Sequence, residues 1–449
     1  MRIFKNNVFK CIFSLAFIGA LLIGMDQGLR VILEPVSFAT YFNPNIREIE
    51  ESGVKVDMVF LGASRTQRTF VPQVFEDELG YDCVVNAGSV LQPVSGTYYE
   101  LKDMIERLHP KCVCIGVTWD QLINEPRLQG KLIVCDRLSF CNKVLMEVRS
   151  LTFEEKKYVS YAYRFKDNLD IEKIESNISL KKKLRGLDYH LVLEDEDYYA
   201  DNGFVYGYGG FDSGTIGITG DRVFSEDLIR KDSLNYLNKC IDLCKKEGVN
   251  VILVSGLTSV MTMYNVPAYQ DAVDYYTDYA HSKGIDYYNL NYLKNREEYI
   301  PDELMYDYNH INGKGAYMVS RDFARILKRA MSGEDVSSCF YANMDDFKKD
   351  VKRIVAVGAD CWVDEDNEDL LHLNIRSLQN DDIEPLYRVS VKYSGPEDFR
   401  LVRDWDKDTI IDIRTSELSE ITVRLEARPA TGAYGGASHD YSYRELVGE

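Results

Sequence analysis

Five short apolar runs that alternate with stretches of helical spacing constrain the fold of this chain more than any other feature. Each run is rich in β-branched and other apolar residues and is typical of a buried strand. The runs are Val56–Leu61, Cys83–Ala87, Cys112–Val117, Val249–Ser255 and Ile285–Leu290. Strands that alternate with helices predict an α/β fold, with a parallel sheet covered by helices on both faces. The loops after such strands collect at one edge of the sheet, where a functional site is expected.

Ser64 lies where the first of these strands becomes a loop. Gly62 and Ala63 precede it, and small residues let the backbone turn sharply and let a substrate carbonyl approach. A serine that follows a buried strand can be a nucleophile, but it is also a common helix cap. The hydroxyl therefore needs a partner elsewhere in the chain before it predicts any chemistry.

A candidate partner lies near the end of the α/β region, where Asp307 precedes His310 by three residues, just ahead of an amphipathic helix. This spacing lets the carboxylate hold Nδ1 of the imidazole while Nε2 stays free to act as a general base. Taken singly, Asp307 can be a surface loop residue and His310 a helix-start histidine. Because both belong to the same α/β region as Ser64, the three residues together predict a serine nucleophile with a His–Asp pair behind it.

Three motifs resemble sequence blocks of the SGNH/GDSL hydrolase superfamily. They are Gly62-Ala-Ser-Arg-Thr66, Asn86-Ala-Gly-Ser89 and Asp307-Tyr-Asn-His310. More narrowly, the chain resembles membrane-anchored members that act on cell-surface polymers, such as the D-alanyl transfer protein of the teichoic acid system and the alginate O-acetylation proteins. The resemblance covers roughly residues 55–330 and implies the SGNH hydrolase fold, whose parallel five-stranded sheet is flavodoxin-like.

The resemblance also implies a role for each motif. Ser64 would be the nucleophile, His310 the general base and Asp307 its orienting partner. The backbone N–H groups of Ser64 and Gly88 would form the oxyanion hole. Residues beside these motifs are expected to line the cleft, and they are Arg65, Thr118, Trp119, Asp120 and Asn309. No metal ion or other cofactor is implied.

The chain departs from the family pattern at two positions. Ala63 stands where the family usually has an aspartate before the serine. The third block usually supplies an asparagine whose side chain completes the oxyanion hole, but here the third predicted strand is followed by Thr118, Trp119 and Asp120, and the next asparagine is Asn124. Loss of one oxyanion donor costs about 100- to 1,000-fold in rate. The reaction would therefore be slow, or the third donor would come from another part of the chain.

Charge and cysteine usage argue against several classes of function. The chain has 449 residues and a formal net charge of −19 at pH 7, which argues against a nucleic-acid partner because a phosphate backbone needs a basic surface. A neutral sugar or a lipid-linked acyl donor suits this charge better. The ten cysteines and six histidines show no paired ligand spacing, so neither a zinc site nor a disulfide framework is expected.

The first 28 residues predict a membrane anchor. Arg2, Lys5 and Lys10 precede the uncharged stretch Cys11–Met25, and no clear small-x-small cleavage site follows. The fifteen residues of this stretch are short for a bilayer span, which takes at least about 17, so a cleaved signal peptide and a buried core helix stay open as alternatives. An uncleaved anchor with its basic end in the cytoplasm would place the rest of the chain outside, with residues 29–54 as a linker.

The α/β domain is predicted at residues 55–332, with an insertion at 124–227. Within the insertion, tyrosines and other aromatic residues alternate with glycines at 198–211. Long loops of this kind often cover functional sites. Two interpretations stay open for this segment: a lid or sugar-stacking wall over the site, and an insertion that packs its tyrosines for stability alone.

A β-rich region follows at residues 340–430, where apolar and polar residues alternate with the period of half-buried antiparallel strands. This pattern predicts a small β-sandwich. Trp362 and Trp405 belong either to its core or to a platform for sugar binding. Residues 431–449, which contain several glycines, are predicted to form a flexible tail.

Two functions from different classes follow from these observations. The first is an extracytoplasmic serine enzyme, anchored in the cell membrane, that takes O-acyl groups of cell-surface polysaccharide through an acyl-enzyme on Ser64. Water as acceptor would make it an esterase, and a glycan hydroxyl would make it an O-acyltransferase. Its partners would be an acylated glycan or acyl donor, a membrane-bound acyl exporter and the membrane. The second is a non-catalytic glycan-binding or scaffold module on the same fold, which the missing asparagine motivates.

Overall fold

The computed structural model describes residues 2–36, 38–184, 192–194, 197–210, 223–294, 296, 304–367, 369–393, 398–414, 420–431 and 435–447. The helices are α1 (Arg2–Leu33), α2 (Phe38–Ser52), α3 (Ser64–Thr69), α4 (Pro72–Leu79), α5 (Val94–Leu108), α6 (Leu128–Arg137), α7 (Phe140–Ser150), α8 (Tyr161–Arg164), α9 (Ile171–Leu184), α10 (Lys231–Glu247), α11 (Val260–Asn265), α12 (Tyr269–Lys283), α13 (Gly313–Met331), α14 (Met344–Asp350) and α15 (Tyr443–Val447). The strands are β1 (Met58–Leu61), β2 (Val84–Asn86), β3 (Cys112–Gly116), β4 (Val192–Glu194), β5 (Asp197–Tyr199), β6 (Val205–Gly207), β7 (Asn250–Ser255), β8 (Asp286–Asn289), β9 (Ala356–Val363), β10 (Leu370–Leu378), β11 (Pro385–Lys392), β12 (Arg400–Asp406), β13 (Ile410–Arg414), β14 (Thr422–Pro429) and β15 (Ala437–Ser442).

The α/β domain is built on a parallel sheet with the strand order β2-β1-β3-β7-β8. This confirms the predicted α/β class with a parallel five-stranded sheet. Because successive side chains of a strand point to opposite faces, Val59 and Leu61 pack with residues of α5 and α10, while Met58 and Phe60 pack with residues of α4 and α13. The two apolar layers cover both faces of the sheet. Because its strands are all parallel, the loops after them meet at one edge.

The N-terminal region extends beyond its predicted bounds. α1 continues past residue 28, and α2 occupies much of the stretch predicted as a linker, with Phe42 and Ile46 buried in the α/β core. Asp26 of α1 accepts hydrogen bonds from the Ser160 hydroxyl and from two backbone N–H groups of α8, which joins α1 to the insertion. Of the helices in the described part of the chain, none is both long enough and apolar enough to cross a membrane.

The insertion after β3 carries α6 to α9 and the small antiparallel sheet β4-β5-β6. In its aromatic segment the rings of Tyr198 and Tyr206 stack with centroids 4.7 Å apart, and Tyr206 also contacts Tyr317 of α13. The described part of the segment, residues 198–210, contributes nothing to the lining of the cleft at Ser64. These contacts favour packing over a lid, while Phe211, the last residue of the predicted segment, lies outside the described residues.

The C-terminal domain packs two antiparallel sheets, β13-β10-β9 and β12-β11-β14-β15, around an apolar core. This agrees with the predicted β-sandwich. Trp362 is half exposed beside His372, and Trp405 contacts the guanidinium groups of Arg388 and Arg428. Neither tryptophan belongs to the apolar core of the sandwich.

The predicted flexible tail is wrong for residues 435–447. β15 pairs with β14 along its whole length, and α15 follows it. Ala437, Tyr441 and Leu446 are buried in the core of the sandwich. The segment is ordered because it supplies the last strand of the four-stranded sheet and part of the apolar core beneath it.

Candidate active site

The turn between β1 and α3 places Ser64 at the edge of the sheet. Gly62 has φ +152°, and a Cβ built on it would lie 2.3 Å from Oγ1 of Thr66 and 3.0 Å from the carbonyl oxygen of Gly116. A glycine is therefore needed where β1 turns so closely against β3. Ser64 is the first residue of α3 directly after this turn, and it lines the cleft.

The structure brings Ser64, His310 and Asp307 into one hydrogen-bonded chain. Nε2 of His310 lies 2.7 Å from Oγ of Ser64. Nδ1 of His310 lies 2.9 and 2.8 Å from the two carboxylate oxygens of Asp307. Oδ1 of Asp307 also accepts the backbone N–H groups of Asn309 and His310, at 2.7 and 2.9 Å. A hydroxyl proton can therefore pass to a ring nitrogen whose opposite nitrogen is held by a carboxylate.

The electrostatics of Asp307 support this arrangement. Burial by itself raises the pKa of the carboxyl group, but the hydrogen bond and charge of His310, together with the backbone N–H groups of Asn309 and His310, outweigh it and lower the pKa below its ordinary value. Asp307 is therefore ionised at neutral pH. An ionised Asp307 keeps the imidazole proton on Nδ1 and leaves the lone pair of Nε2 facing Ser64.

A second network joins the loop after β3 to the loop that carries the acid and base. Arg65 donates to Oδ1 of Asn309 at 2.5 Å and lies 4.0 Å from Asp120. Asp120 accepts hydrogen bonds from the Thr118 hydroxyl at 2.7 Å and from the Asn124 amide at 2.9 Å. Because a guanidinium group only donates, Asn309 must turn its oxygen toward Arg65 and its NH2 group away. The predicted cleft residues Arg65, Thr118, Asp120 and Asn309 all line the cleft.

Two residues that were predicted to belong to the site, Gly88 and Trp119, lie outside the cleft. Gly88 cannot serve as the expected oxyanion donor, because its N–H donates to Oδ1 of Asn86 at 3.0 Å and a Cβ on it would lie 2.7 Å from the backbone nitrogen of Gln67. It is thus packed against α3 and does not line the cleft. Trp119 is also not a cleft residue, since it is 7% exposed and packs in an apolar cluster that includes Phe224.

The cleft beside Ser64 has a volume of about 320 Å³. Apart from the residues already described, its polar lining consists of Gln92, Gln121, Glu125, Arg127, Ser233 and Tyr308, and its apolar lining includes Leu91, Pro93, Val94 and Pro126. Leu91 has φ +56°, a left-handed conformation that is uncommon for leucine. Its backbone N–H has no acceptor among the described residues. Sequence reasoning missed Leu91, because an apolar side chain carries no signal for a positive φ.

The arrangement can perform nucleophilic attack on an ester carbonyl. It contains a hydroxyl, a base in contact with that hydroxyl, a carboxylate behind the base and, at Leu91, a backbone N–H beside the cleft that has no acceptor among the described residues. In the part of the chain that the structure describes, no group of three or more His, Cys, Asp or Glu side chains is arranged to hold a metal ion.

Comparison with known proteins finds similarity at the level of structure. No protein-family model matches the chain, and no curated protein matches it significantly. A GDSL-like lipase from Bacteroides thetaiotaomicron has 13% identity and a TM-score of 0.32, covering 66% of this chain and 99% of that one. A candidate acylhydrolase from Bacteroides fragilis has 11% identity and a TM-score of 0.30, covering 63% and 94%. A two-domain esterase active on acetylated mannans has 11% identity and a TM-score of 0.23, covering 88% and 92%. With scores this low, the fold and the site rest on the geometry of this chain.

Proposed function

We propose that this protein is a serine esterase or acyltransferase of the SGNH/GDSL type, which acts on O-acyl groups of cell-surface polysaccharide through an acyl-enzyme. One observation supports this proposal most strongly: His310 Nε2 lies 2.7 Å from Ser64 Oγ while Asp307 binds the opposite ring nitrogen. A serine hydroxyl is a weak nucleophile unless a positioned base removes its proton as it attacks. His310 is placed to be that base.

In the first half-reaction, Oγ of Ser64 attacks the acyl carbonyl carbon while Nε2 of His310 takes the hydroxyl proton. The tetrahedral oxyanion then collapses, the bond from the carbonyl carbon to the sugar oxygen breaks, and His310 gives its proton to that oxygen. In the second half-reaction, water or a glycan hydroxyl gives a proton to His310 and attacks the acyl-enzyme, and collapse returns the proton to Ser64. Asp307 stabilises the imidazolium in both halves. Hydrolysis and transfer differ only in the acceptor.

The oxyanion needs donors other than Gly88. The backbone N–H of Ser64, in the first turn of α3, and that of Leu91 have no acceptor among the described residues, and both residues line the cleft. The NH2 group of Asn309, which Arg65 orients, is our candidate for the side-chain donor that the family pattern places after the third strand. If it acts in this way, an Asn309→Ala variant should lose about 100-fold or more in kcat.

The cleft lining favours a polar substrate with a short acyl group. Amide, hydroxyl and charged side chains dominate it, whereas a long hydrocarbon chain would need an extended apolar wall. The net charge of −19 also favours a neutral glycan over an anionic polymer. Following the sequence resemblance, we place the activity outside the cytoplasm, with attachment to the membrane through the N-terminal region and with a membrane-bound acyl exporter as the partner for transfer.

The test is covalent labelling of the full chain with a fluorophosphonate probe, together with hydrolysis of p-nitrophenyl acetate, in wild type and in the Ser64→Ala and His310→Ala variants. We expect labelling and turnover that need both residues. Adding acetylated or unacetylated glycan then separates the acceptors, because transfer produces acylated glycan while hydrolysis releases free acid. A folded wild type that neither labels nor turns over would favour the non-catalytic glycan-binding module, whose glycan retention would be unchanged in Ser64→Ala.

A further inference from the structure

The backbone carbonyl of Tyr308 lies at the centre of the loop between Asp307 and His310, and it accepts an unusual number of hydrogen bonds. Its donors are the hydroxyl of Thr258 at 2.9 Å, the hydroxyl of Thr262 at 2.8 Å and the backbone N–H of Ser259 at 3.1 Å. A carbonyl oxygen has two lone pairs, so three donors saturate it. One short segment after β7 therefore binds the middle of the acid–base loop.

The segment that donates these hydrogen bonds is buried and is itself held by further hydrogen bonds. Thr258 is 1% exposed and Thr262 is 0% exposed. The backbone N–H of Thr258 donates to Oδ1 of Asn291 at 2.9 Å, and the guanidinium of Arg296 donates to the carbonyl of Thr258. The side chain of Ser259 caps α11 by accepting the N–H of Thr262 at 3.1 Å. The two threonine hydroxyls thus project from a rigid support.

The hydroxyl protons can be assigned from these contacts. Oγ of Ser259 lies 3.0 Å from Oγ1 of Thr262, and either atom could donate. The carbonyl of Tyr308 can only accept, so Thr262 must give its proton to Tyr308 and receive the proton of Ser259. Thr258 has one proton, and Tyr308 is its acceptor in the structure. Both threonines therefore hold the acid–base loop through their hydroxyl groups.

We propose that Thr258 and Thr262 are positioning residues for the catalytic histidine: they fix the peptide between Tyr308 and Asn309, and through it the distance from His310 to Ser64. Neither threonine lines the cleft, so their effect reaches the substrate only through the loop. The inference rests on the proposed function of His310 as general base. A misplacement of about 1 Å in such a group costs on the order of 100-fold in rate.

The test uses pairs of isosteric variants. Thr258→Val and Thr262→Val remove the hydroxyl and keep the shape, whereas Thr258→Ser and Thr262→Ser keep the hydroxyl and remove a methyl group. We expect each valine variant to lose about tenfold in kcat and the double valine variant about 100-fold, with little change in KM, while the serine variants stay near wild type. Thr277→Val is the matched control, since Thr277 donates its hydroxyl to a carbonyl within α12 at 2.8 Å.

A second measurement separates this inference from the proposed function. The ring ¹⁵N chemical shifts of His310 report the tautomer and the hydrogen bonds of the imidazole without any turnover. We expect the double valine variant to shift them and the serine variants to leave them unchanged. Loss of labelling in Ser64→Ala establishes the function independently. Valine variants with wild-type kcat and wild-type ¹⁵N shifts, or serine variants as impaired as the valine ones, would overturn the positioning role.

Discussion

Replacing Asp307 with asparagine should remove the base function of His310 while leaving the fold intact. Oδ1 of Asp307 accepts two backbone N–H groups, at 2.7 and 2.9 Å. An amide NH2 group cannot accept a hydrogen bond, so the asparagine oxygen must take the position of Oδ1. The NH2 group then takes the position of Oδ2, which lies 2.8 Å from Nδ1 of His310.

This orientation favours the wrong tautomer of the histidine. The oxygen that remains at the Oδ1 position lies 2.9 Å from Nδ1 but already accepts two backbone N–H groups, whereas the NH2 group faces Nδ1 at the shorter distance of 2.8 Å. With this donor facing it, Nδ1 becomes an acceptor, and the ring proton moves to Nε2. Nε2 then points a proton at Ser64 and cannot take one. A change of this kind lowers the rate about 1,000- to 10,000-fold, which is about 4 to 5.5 kcal/mol in the activation free energy.

Steady-state hydrolysis of p-nitrophenyl acetate and the rate of fluorophosphonate labelling measure this loss. Asp412→Asn is a matched control, because Asp412 binds Nδ1 of His372 at 2.8 Å in the C-terminal domain. That control should keep wild-type kcat/KM. An Asp307→Asn variant that is folded and retains more than about a tenth of wild-type kcat/KM would refute the tautomer argument.

Three further predictions concern stability. Gly62→Ala should destabilise the protein by about 2 kcal/mol or more, because its Cβ would lie 2.3 Å from Oγ1 of Thr66. Urea unfolding measures this loss of stability. The control Gly80→Ala should lose clearly less, because φ is +69° there but no atom lies near the added Cβ. Folding lowers the pKa of Asp307, so its ionisation stabilises the fold at any pH above the unfolded pKa, and this stabilisation is lost as the pH falls through the folded pKa. Below about pH 4 the wild type should therefore lose more stability than Asp307→Asn. Equal losses of stability in the two proteins, measured by urea unfolding at several pH values, would contradict this. Tyr441→Phe should cost about 1 kcal/mol, since its hydroxyl donates to the carbonyl of Val357 at 2.7 Å; an unchanged melting temperature would show that β15 does not depend on this bond.

The main outline of the fold could be predicted from the sequence, because it depends on local patterns. A buried parallel strand appears as a continuous apolar run wherever it lies in the chain, and all five predicted strands are present in the order β2-β1-β3-β7-β8. The last strand, β15, was not predicted, because it depends on contacts with another strand and not on a local pattern. Residues 437–442 carry polar and glycine-flanked sequence, and they become a strand only because β14 offers an edge to pair with.

For the candidate site, too, one part could be predicted from the sequence and another part could not. The sequence by itself determined the chemical groups. A serine at a strand end is recognisable from the apolar run before it, and an aspartate three residues before a histidine is recognisable because that spacing within one loop already sets the geometry of the pair. Only the tertiary structure decided which groups face the cleft. Gly88 gives its N–H to Asn86, Trp119 turns into the core, and Leu91 takes a positive φ at the cleft. Gly88 packs against Gln67, Leu91 lies against Gly130, and Trp119 shares an apolar cluster with Phe224, and neither residue type nor local spacing carries that information.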